Sequence, residues 1–140
     1  LCIDRERAAE GHGYRVAMPA AAEDFTGDRP LIERADMLSH AEFFIGLPSG
    51  LSWLARTAGC PVVMIGGFSL YWCEFPTPYR GYNPLVCGGC YNDVRLSWKE
   101  TICPRQIGVP ERQFECSTKI TPRMVTAAID RLRRDRGAKG

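Results

Sequence analysis

The sequence predicts an α/β protein built around a parallel sheet, in a doubly wound, Rossmann-like arrangement. Residues 43–68 read as strand, turn, helix, turn and strand, with two short apolar runs that end at Gly46 and at Gly66-Gly67. A strand and a helix precede this unit, and a long helix follows near the C-terminus. Buried strands joined by a helical crossover are the repeating unit of parallel sheets.

Helix signals inside the central unit are well defined. Pro48, Ser49 and Gly50 break the first strand and open the helix, and Gly59 followed by Pro61 ends it. Its apolar stripe consists of Leu51, Leu54, Ala55 and Ala58. The turn at Ser49-Gly50 presents backbone N–H groups at a helix N-terminus, so it is a candidate anion site; a plain helix cap is the alternative.

The N-terminal region predicts shorter elements. Residues 1–3 are predicted to be the end of a buried strand. Residues 5–13 are predicted to form a polar loop with an exposed His12, and residues 14–18 a short strand. A helix should follow, with Asp28 as its N-cap and Pro30 in its first turn. Its apolar stripe is Leu31, Ile32, Ala35 and Leu38.

The C-terminal helix is predicted to begin at Thr121, an N-cap followed by Pro122 at the first helical position. One face of this helix carries Val125, Ala128, Ile129 and Leu132. Residues 69–118 lie between the central unit and this helix. They are rich in aromatics, prolines and cysteines and show little periodicity, which predicts a loop-rich insert that needs a cross-link.

Composition narrows the class of protein. With 18 basic and 16 acidic residues the net charge is +2, so no nucleic-acid-binding footprint is present. No apolar run approaches the roughly 20 residues that a membrane span needs. Charged residues follow Leu1-Cys2-Ile3 directly, so we expect no signal peptide and a cytoplasmic location. The chain begins with Leu rather than Met, and we expect it to be a piece of a longer protein.

Four of the seven cysteines form a candidate metal site. Cys87 and Cys90 are separated by two glycines, and Cys103 and Cys116 each follow after twelve further residues. Four thiolates in an otherwise unsupported loop predict a tetrahedral, structural site for iron or zinc. The alternative is that these cysteines are small apolar fillers. Cys2 and Cys60 are expected in the core, and Cys73 has no assigned role.

Three motifs in order resemble a known family. DFTGDRPLIERADMLSHAEFFIGLPSGLSWLA (24–55), followed by PVVMIGGF (61–68), is similar to the C-terminal half of bacterial ADP-heptose glycosyltransferases. Pro48 and Trp53 depart from the Asp and His of the lipopolysaccharide heptosyltransferases. These departures, with EFPTPYR (74–80) and the four cysteines, shift the resemblance to heptosyltransferases that modify autotransporter adhesins.

The resemblance implies a two-domain glycosyltransferase of the GT-B type that transfers heptose from ADP-heptose to Ser or Thr hydroxyls of an adhesin passenger domain. Residues 1–140 would be its C-terminal nucleotide-sugar-binding domain, including the insert at 69–118. Iron (Fe³⁺) in the cysteine site and a ring-shaped homo-oligomer are also implied. The catalytic base would lie in the upstream domain, so no catalytic residue is expected here, and the chain alone should be inactive.

Candidate contacts to the nucleotide sugar follow from this resemblance. The N–H groups of Gly50, Leu51 and Ser52, with the Ser49 hydroxyl, would stabilise the diphosphate. Thr26 and Gly27 would contact the ribose or a phosphate. Glu74 and Arg80 would contact sugar hydroxyls or phosphate, or else form an ion pair that holds the insert. A metal-binding interaction module without catalysis is the competing functional class.

Overall fold

A computed structural model of the protein describes residues 1–11, 14–96 and 103–138. Strands and helices follow one another along the chain as an α/β fold requires. In chain order they are β1 (Ala8–Gly11), β2 (Tyr14–Ala17), α1 (Leu31–Ser39), β3 (Phe44–Gly46), α2 (Gly50–Thr57), β4 (Val62–Ile65), β5 (Arg80–Gly81), α3 (Arg105–Gly108), α4 (Glu115–Thr118) and α5 (Pro122–Gly137). Single turns of 3₁₀ helix lie at Tyr71–Cys73, Cys90–Asn92 and Pro110–Arg112.

A parallel sheet with the strand order β3-β4-β5 forms the centre of the fold. Phe44 pairs with Val62, and Met64 pairs with Arg80. Helix α2 connects β3 to β4, so the predicted strand–helix–strand unit over residues 43–68 is confirmed. The sheet places the ends of β3 and β4 at one edge, where ligands bind in open α/β folds.

Strand β4 is buried on both faces of the sheet. Val62 and Met64 pack with Leu38 of α1 and Ala55 of α2. Val63 points to the opposite face, where it packs with buried residues of α5, Ala128 and Leu132. An uninterrupted apolar run is typical of a parallel strand covered by helices on both sides. The predicted stripes of α2 and α5 therefore face the core.

The predicted ends of α2 and α5 are also confirmed. Ala58 caps the C-terminus of α2, and Gly59 follows with φ of +79°, a conformation that glycine adopts without steric cost. At the start of α5, the Thr121 hydroxyl accepts a hydrogen bond from the Met124 N–H at 3.4 Å.

The N-terminal region differs from the prediction. Residues 8–11 form β1, which pairs with β2 in an antiparallel hairpin, so the polar loop predicted over residues 5–13 is wrong for this part. Backbone hydrogen bonds form this ladder, and the local sequence has no apolar alternation that would indicate a strand. His12 lies outside the described residues. Cys2 makes a single parallel bridge to Asp24 rather than a strand of the central sheet.

Helix α1 begins later than predicted. Pro30, not Asp28, occupies the capping position, and its carbonyl accepts the Arg34 N–H at 3.3 Å. Leu31 and Ile32 are consequently exposed at the first turn, while Arg34 and Leu38 are the buried residues of the helix. The sequence stripe was wrong for its first two members because the buried face of the helix is the one that carries Arg34 and Leu38, four residues apart.

The predicted insert contributes to the sheet. Its Arg80–Gly81 segment is β5, a two-residue strand that no sequence periodicity could indicate. The remainder of residues 69–118 that the structure describes consists of loops and single helical turns, with residues 97–102 outside the description. Among the described helices, none has the length and apolar character needed to cross a bilayer.

We expect Leu132→Ala to lower the free energy of unfolding by about 2–5 kcal/mol, because a fully buried side chain leaves a cavity between α5 and the sheet. Urea denaturation of the purified protein measures this. Leu85→Ala is the matched control, since Leu85 is 89% exposed and its truncation should change stability by less than about 0.5 kcal/mol. Equal effects of the two variants would contradict the assigned core.

Candidate functional site

The turn after β3 presents an exposed helix N-terminus. Ser49 is extended (φ −139°, ψ 176°), and its carbonyl accepts the N–H groups of Ser52 at 3.1 Å and Trp53 at 3.3 Å. Its hydroxyl forms no capping hydrogen bond with α2. The N–H groups of Gly50 and Leu51 belong to the first turn, which leaves donors for an outside acceptor. A Cβ atom at Gly50 would meet no other atom within 4 Å, so the turn is open.

Ser52 differs from its neighbours because its hydroxyl and its N–H both make hydrogen bonds within the protein. Its side chain is fully buried, and the hydroxyl donates to the Leu47 carbonyl at 2.5 Å. Its N–H already donates to Ser49. Ser52 therefore holds the shape of the turn, while Ser49, Gly50 and Leu51 remain the groups that an anion can reach.

An ion pair between Glu74 and Arg80 lies beside the end of β4. The Glu74 side chain is only 2% exposed, and it accepts hydrogen bonds from Arg80 and, at 2.5 Å, from the Ser69 hydroxyl. A Cβ atom at Gly66 would lie 3.2 Å from the Arg80 guanidinium and 3.8 Å from Pro48, so the pair is close to the turn after β3. A buried carboxylate requires such partners.

Glu74 and Arg80 thus form the ion pair that was one of the two roles the sequence allowed for them. Arg80 is more accessible than its partner, with 24% of its side chain exposed. A guanidinium carries five N–H donors, so Arg80 can serve the carboxylate and a ligand at once.

Hydrogen bonds from neighbouring residues fix the conformation of the loop at Thr26-Gly27. The Thr26 hydroxyl and N–H both donate to the Asp24 carboxylate, at 2.7 and 3.0 Å, and these bonds lower the pKa of Asp24. Arg34, which is buried, donates to the carbonyls of Gly27 at 2.5 Å and Asp4 at 3.3 Å. Sequence reasoning missed Arg34; its spacing of four residues from Leu38 was the available signal.

The four predicted metal ligands line one cavity of about 590 Å³. All seven cysteines, which lie within the described residues, are free thiols. The Phe114 N–H donates to the Cys103 sulfur at 3.4 Å. Burial, with the proximity of Cys116, Cys103 and Cys87, raises the pKa of Cys90 to about 11. Four soft donors around one space fit the chemistry of a tetrahedral thiolate site.

The four cysteines are nevertheless not arranged as metal ligands in their present positions. Among the described residues, no group of three or more His, Cys, Asp or Glu side chains is arranged to hold a metal ion. The cavity thus collects the four sulfurs without bringing them into coordination geometry.

A buried carboxylate stands next to this cluster. Glu115 accepts two hydrogen bonds from Arg112, at 2.8 and 2.5 Å, which lower the pKa of Glu115 to about 2, and Arg105 approaches it at 3.8 Å. The carboxylate also contacts Cys87. Sequence reasoning missed the charged members of this network because none of them belongs to a recognisable motif. It ties two segments of the insert together around the cysteines.

Gly67, the second residue after β4, joins the cysteine cluster to the sheet. Its carbonyl accepts the Gly89 N–H at 2.9 Å. A Cβ atom at Gly67 would lie 2.6 Å from the Cys116 carbonyl, and one at Gly88 would lie 2.7 Å from the Gly67 carbonyl. Three backbone segments meet here at distances that only glycine permits.

A parallel sheet with an open helix N-terminus at its carboxyl edge places the chain in the class of open α/β domains, which bind ligands at that edge of the sheet. Within that class, the chain is a relative of the autotransporter heptosyltransferases, which confirms the resemblance seen in its sequence. No protein-family model matches the chain.

The similarity extends over nearly the whole chain. BAHTCr of Citrobacter rodentium, an autotransporter heptosyltransferase, is 52% identical over 136 residues, which cover 94% of this chain and 33% of that protein. TibC of Escherichia coli, another such enzyme, is 47% identical over 100% of this chain and 35% of its own length. BimC of Burkholderia thailandensis, an inactive autotransporter heptosyltransferase, is 40% identical over 81% of this chain and 27% of its length.

Solved structures of TibC share the fold. The structure described as an iron-containing dodecameric glycosyltransferase superposes with a TM-score of 0.90 at 45% identity, covering 100% of this chain and 38% of that one. A second structure, of TibC with ADP-D-β-D-heptose, gives a TM-score of 0.88 at 46% identity over 96% of this chain and 36% of that one. The chain thus spans about a third of the length of these relatives.

We expect Gly67→Ala to destabilise the protein by about 1–3 kcal/mol, because the added methyl group must displace the backbone of Cys116. Thermal unfolding measures the change. Gly137→Ala is the matched control, since a Cβ atom there meets nothing within 4 Å, and it should shift stability by less than about 0.5 kcal/mol. A Gly67→Ala protein as stable as the wild type would refute the close approach.

Proposed function

We propose that the chain is the nucleotide-sugar-binding part of a heptosyltransferase that uses ADP-heptose. The full-length protein would transfer heptose to Ser or Thr hydroxyls of an autotransporter adhesin passenger domain. The observation that carries this proposal is the likeness to TibC, solved with ADP-D-β-D-heptose, at 46% identity over 96% of the chain. The open turn at Ser49-Gly50 supplies the matching local chemistry.

The diphosphate binds at the N-terminus of α2. The Gly50 and Leu51 N–H groups donate to its oxygens, and the exposed Ser49 hydroxyl adds a third donor. Negative charge grows on the diphosphate as the bond to the sugar breaks, and a helix N-terminus stabilises that charge more as it develops. Ser52 holds the turn in position through Leu47.

The other predicted contacts bind the remaining parts of the nucleotide sugar. Thr26 and Gly27 bind the ribose or a phosphate through a loop that Arg34 keeps rigid. Arg80, held by Glu74, offers its remaining donors to the sugar or a phosphate. The domain is the C-terminal half of a GT-B enzyme, and the base that deprotonates the acceptor hydroxyl lies in the rest of the protein.

The four cysteines Cys87, Cys90, Cys103 and Cys116 hold one iron ion, with zinc as the alternative. TibC is described as iron-containing, and the four predicted ligands of this chain line one cavity. When bound, the metal supplies a structural cross-link, because four protein ligands leave no position for substrate. The Arg112–Glu115 pair stabilises the surrounding loops.

The assembly is inferred from the same relatives, and the location from the chemistry of the substrate and the cysteines. TibC is described as dodecameric, and we infer a ring-shaped homo-oligomer for the full-length protein. A cytoplasmic enzyme fits the use of an ADP-sugar and the free thiols of all seven cysteines.

A second candidate is a metal-binding scaffold that keeps the fold without catalysis. One finding favours it, because BimC, at 40% identity, is an inactive heptosyltransferase. The two candidates differ in whether the full-length protein binds ADP-heptose and transfers the sugar.

We expect Gly50→Pro to weaken the binding of ADP and ADP-heptose by about tenfold or more, since it removes one N–H donor to a charged ligand. Proline is well tolerated at the first helical position after an extended residue, so stability should be unchanged. Gly50→Ala keeps the N–H group and is the matched control. Ser49→Ala should also weaken binding without loss of stability, because its hydroxyl does not cap the helix.

Calorimetry on the full-length protein measures these affinities. Wild-type protein that binds neither ligand, or Gly50→Pro and Ser49→Ala variants that bind both ligands as the wild type does, would contradict the transferase proposal.

We expect elemental analysis to find about one iron or zinc ion per chain. Cys87→Ser, Cys90→Ser, Cys103→Ser and Cys116→Ser should each lower the metal content and the solubility, because binding free energy is also folding free energy for such a loop. Cys2→Ser and Cys60→Ser are the matched controls and should keep the metal. Full metal content in all four ligand variants would refute the site.

A further inference from the structure

Strand β5 is too short to fix its own position in the sheet. It consists of Arg80 and Gly81 alone, which is shorter than most strands. The Met64 N–H of β4 donates to the Tyr79 carbonyl at 2.9 Å, just before the strand begins. The Gly66 N–H donates to the Gly81 carbonyl at 3.1 Å. The register of so short a pairing depends on contacts that the surrounding residues make with other elements.

This register decides where the Arg80 side chain lies. Successive side chains of a strand point to opposite faces of the sheet, so a slip of one residue reverses them all. Tyr79 packs on the α5 face, against the cluster that includes Val63 and Leu132. By this alternation Arg80 lies on the other face, where it pairs with Glu74. A slip would place a guanidinium among apolar side chains and would leave a buried carboxylate without its partner.

Helix α5 holds the two residues that precede Arg80. The Tyr79 hydroxyl donates to the Asp135 carboxylate near the end of the helix; burial, together with this neighbouring charge, raises the pKa of Tyr79. Arg131, one turn earlier on α5, donates to the Pro78 carbonyl at 3.2 Å and lies 3.9 Å from the Asp135 carboxylate. Side chains of one helix therefore bind a backbone group and a hydroxyl of consecutive residues next to β5.

The same helix also contacts the residue that follows Arg80. A Cβ atom at Gly81 would lie 3.2 Å from a Val125 methyl group of α5 and 3.7 Å from Ile120, so the backbone of β5 lies directly against the start of the helix. Helix α5 thus contacts β5 on both sides of Arg80. The apolar packing at Gly81 fixes how closely the strand approaches, and the directed hydrogen bond at Tyr79 fixes its register.

We propose that Tyr79 and Asp135 are positioning residues for Arg80. Their hydroxyl–carboxylate contact fixes the register of β5, and β5 in turn directs the guanidinium toward Glu74 and the turn after β3. Both residues act through Arg80 rather than by contact with the nucleotide sugar. This inference rests on the proposed function, in which Arg80 contacts the ligand, and extends the site to a helix on the far face of the sheet.

Hydrogen exchange of the full-length protein tests the register without any ligand. The Met64 and Gly66 amides, which donate to the β5 segment, should exchange about fivefold faster in Asp135→Ala and in Tyr79→Phe, because the loss of one hydrogen bond loosens the pairing locally. Combining the two substitutions should add nothing, since either one removes the same bond. Asp130→Ala makes the same change at another exposed position of α5 and should leave the exchange unchanged. Wild-type exchange in both variants, or equal acceleration by the control, would overturn the inference.

Calorimetry with ADP-heptose tests whether the contact acts through Arg80. Asp135→Ala should weaken binding by about threefold, because a misplaced guanidinium loses part of its hydrogen bonding to the ligand. The Glu74→Gln and Arg80→Gln double variant replaces the ion pair by neutral amides, so it leaves no buried charge unpaired. In this background Asp135→Ala should not change the affinity further, although it should still accelerate the exchange.

Two calorimetric results would overturn the inference while leaving the proposed function intact. Equal weakening by Asp135→Ala in both backgrounds would show a general loss of structure, and a double variant that binds ADP-heptose as the wild type does would remove Arg80 from the site. Wild-type protein that does not bind ADP-heptose would instead overturn the proposed function, and the exchange rates would still decide the register of β5. Thermal unfolding of each variant checks that the fold is unchanged.

Discussion

The close approach of three backbone segments at Gly66-Gly67 is the constraint on which the rest of the structure depends. These glycines end β4, the strand that is buried on both faces. Gly66 lies against the Glu74–Arg80 pair, and Gly67 lies against Cys116 and the Gly88-Gly89 turn. A side chain at Gly67 would push the Cys116 backbone away, so the insert can approach the end of β4 this closely only because Gly67 lacks a Cβ atom.

Through this contact, the position of the cysteine cluster affects the position of groups at the edge of the sheet. The insert supplies β5, the Glu74–Arg80 pair and the 3₁₀ turn of Tyr71–Cys73. Asn92, two residues beyond Cys90, binds that turn directly. A cross-link at the cysteines would therefore fix the geometry of groups at the edge of the sheet without touching a ligand.

Much of the architecture could be predicted because apolar periodicity and helix-ending residues act locally. The unit over residues 43–68 and the helix after Thr121 carry such signals in full. Strand β5 could not be predicted, because two residues carry no periodicity and its pairing with β4 is a long-range contact. The burial of Arg34 and Glu115 was equally hidden, since a charged residue enters the interior only when hydrogen-bond partners satisfy it, and these partners lie in irregular segments whose conformation no periodicity predicts. The turn at Ser49-Gly50 indicated an anion site by itself, whereas the contacts of Thr26 and Arg80 came from the family resemblance, and all these roles stay predictions.

Helix α2 starts without the side-chain cap that most helices use, although a serine stands at the capping position. An anion at this turn would take the place of the missing cap and bond the same first-turn N–H groups. Binding of an anion and the order of the first helical turn would then be linked, so that each favours the other. The departure of that anion would leave a looser helix terminus, so the local order of α2 would report whether the turn is occupied.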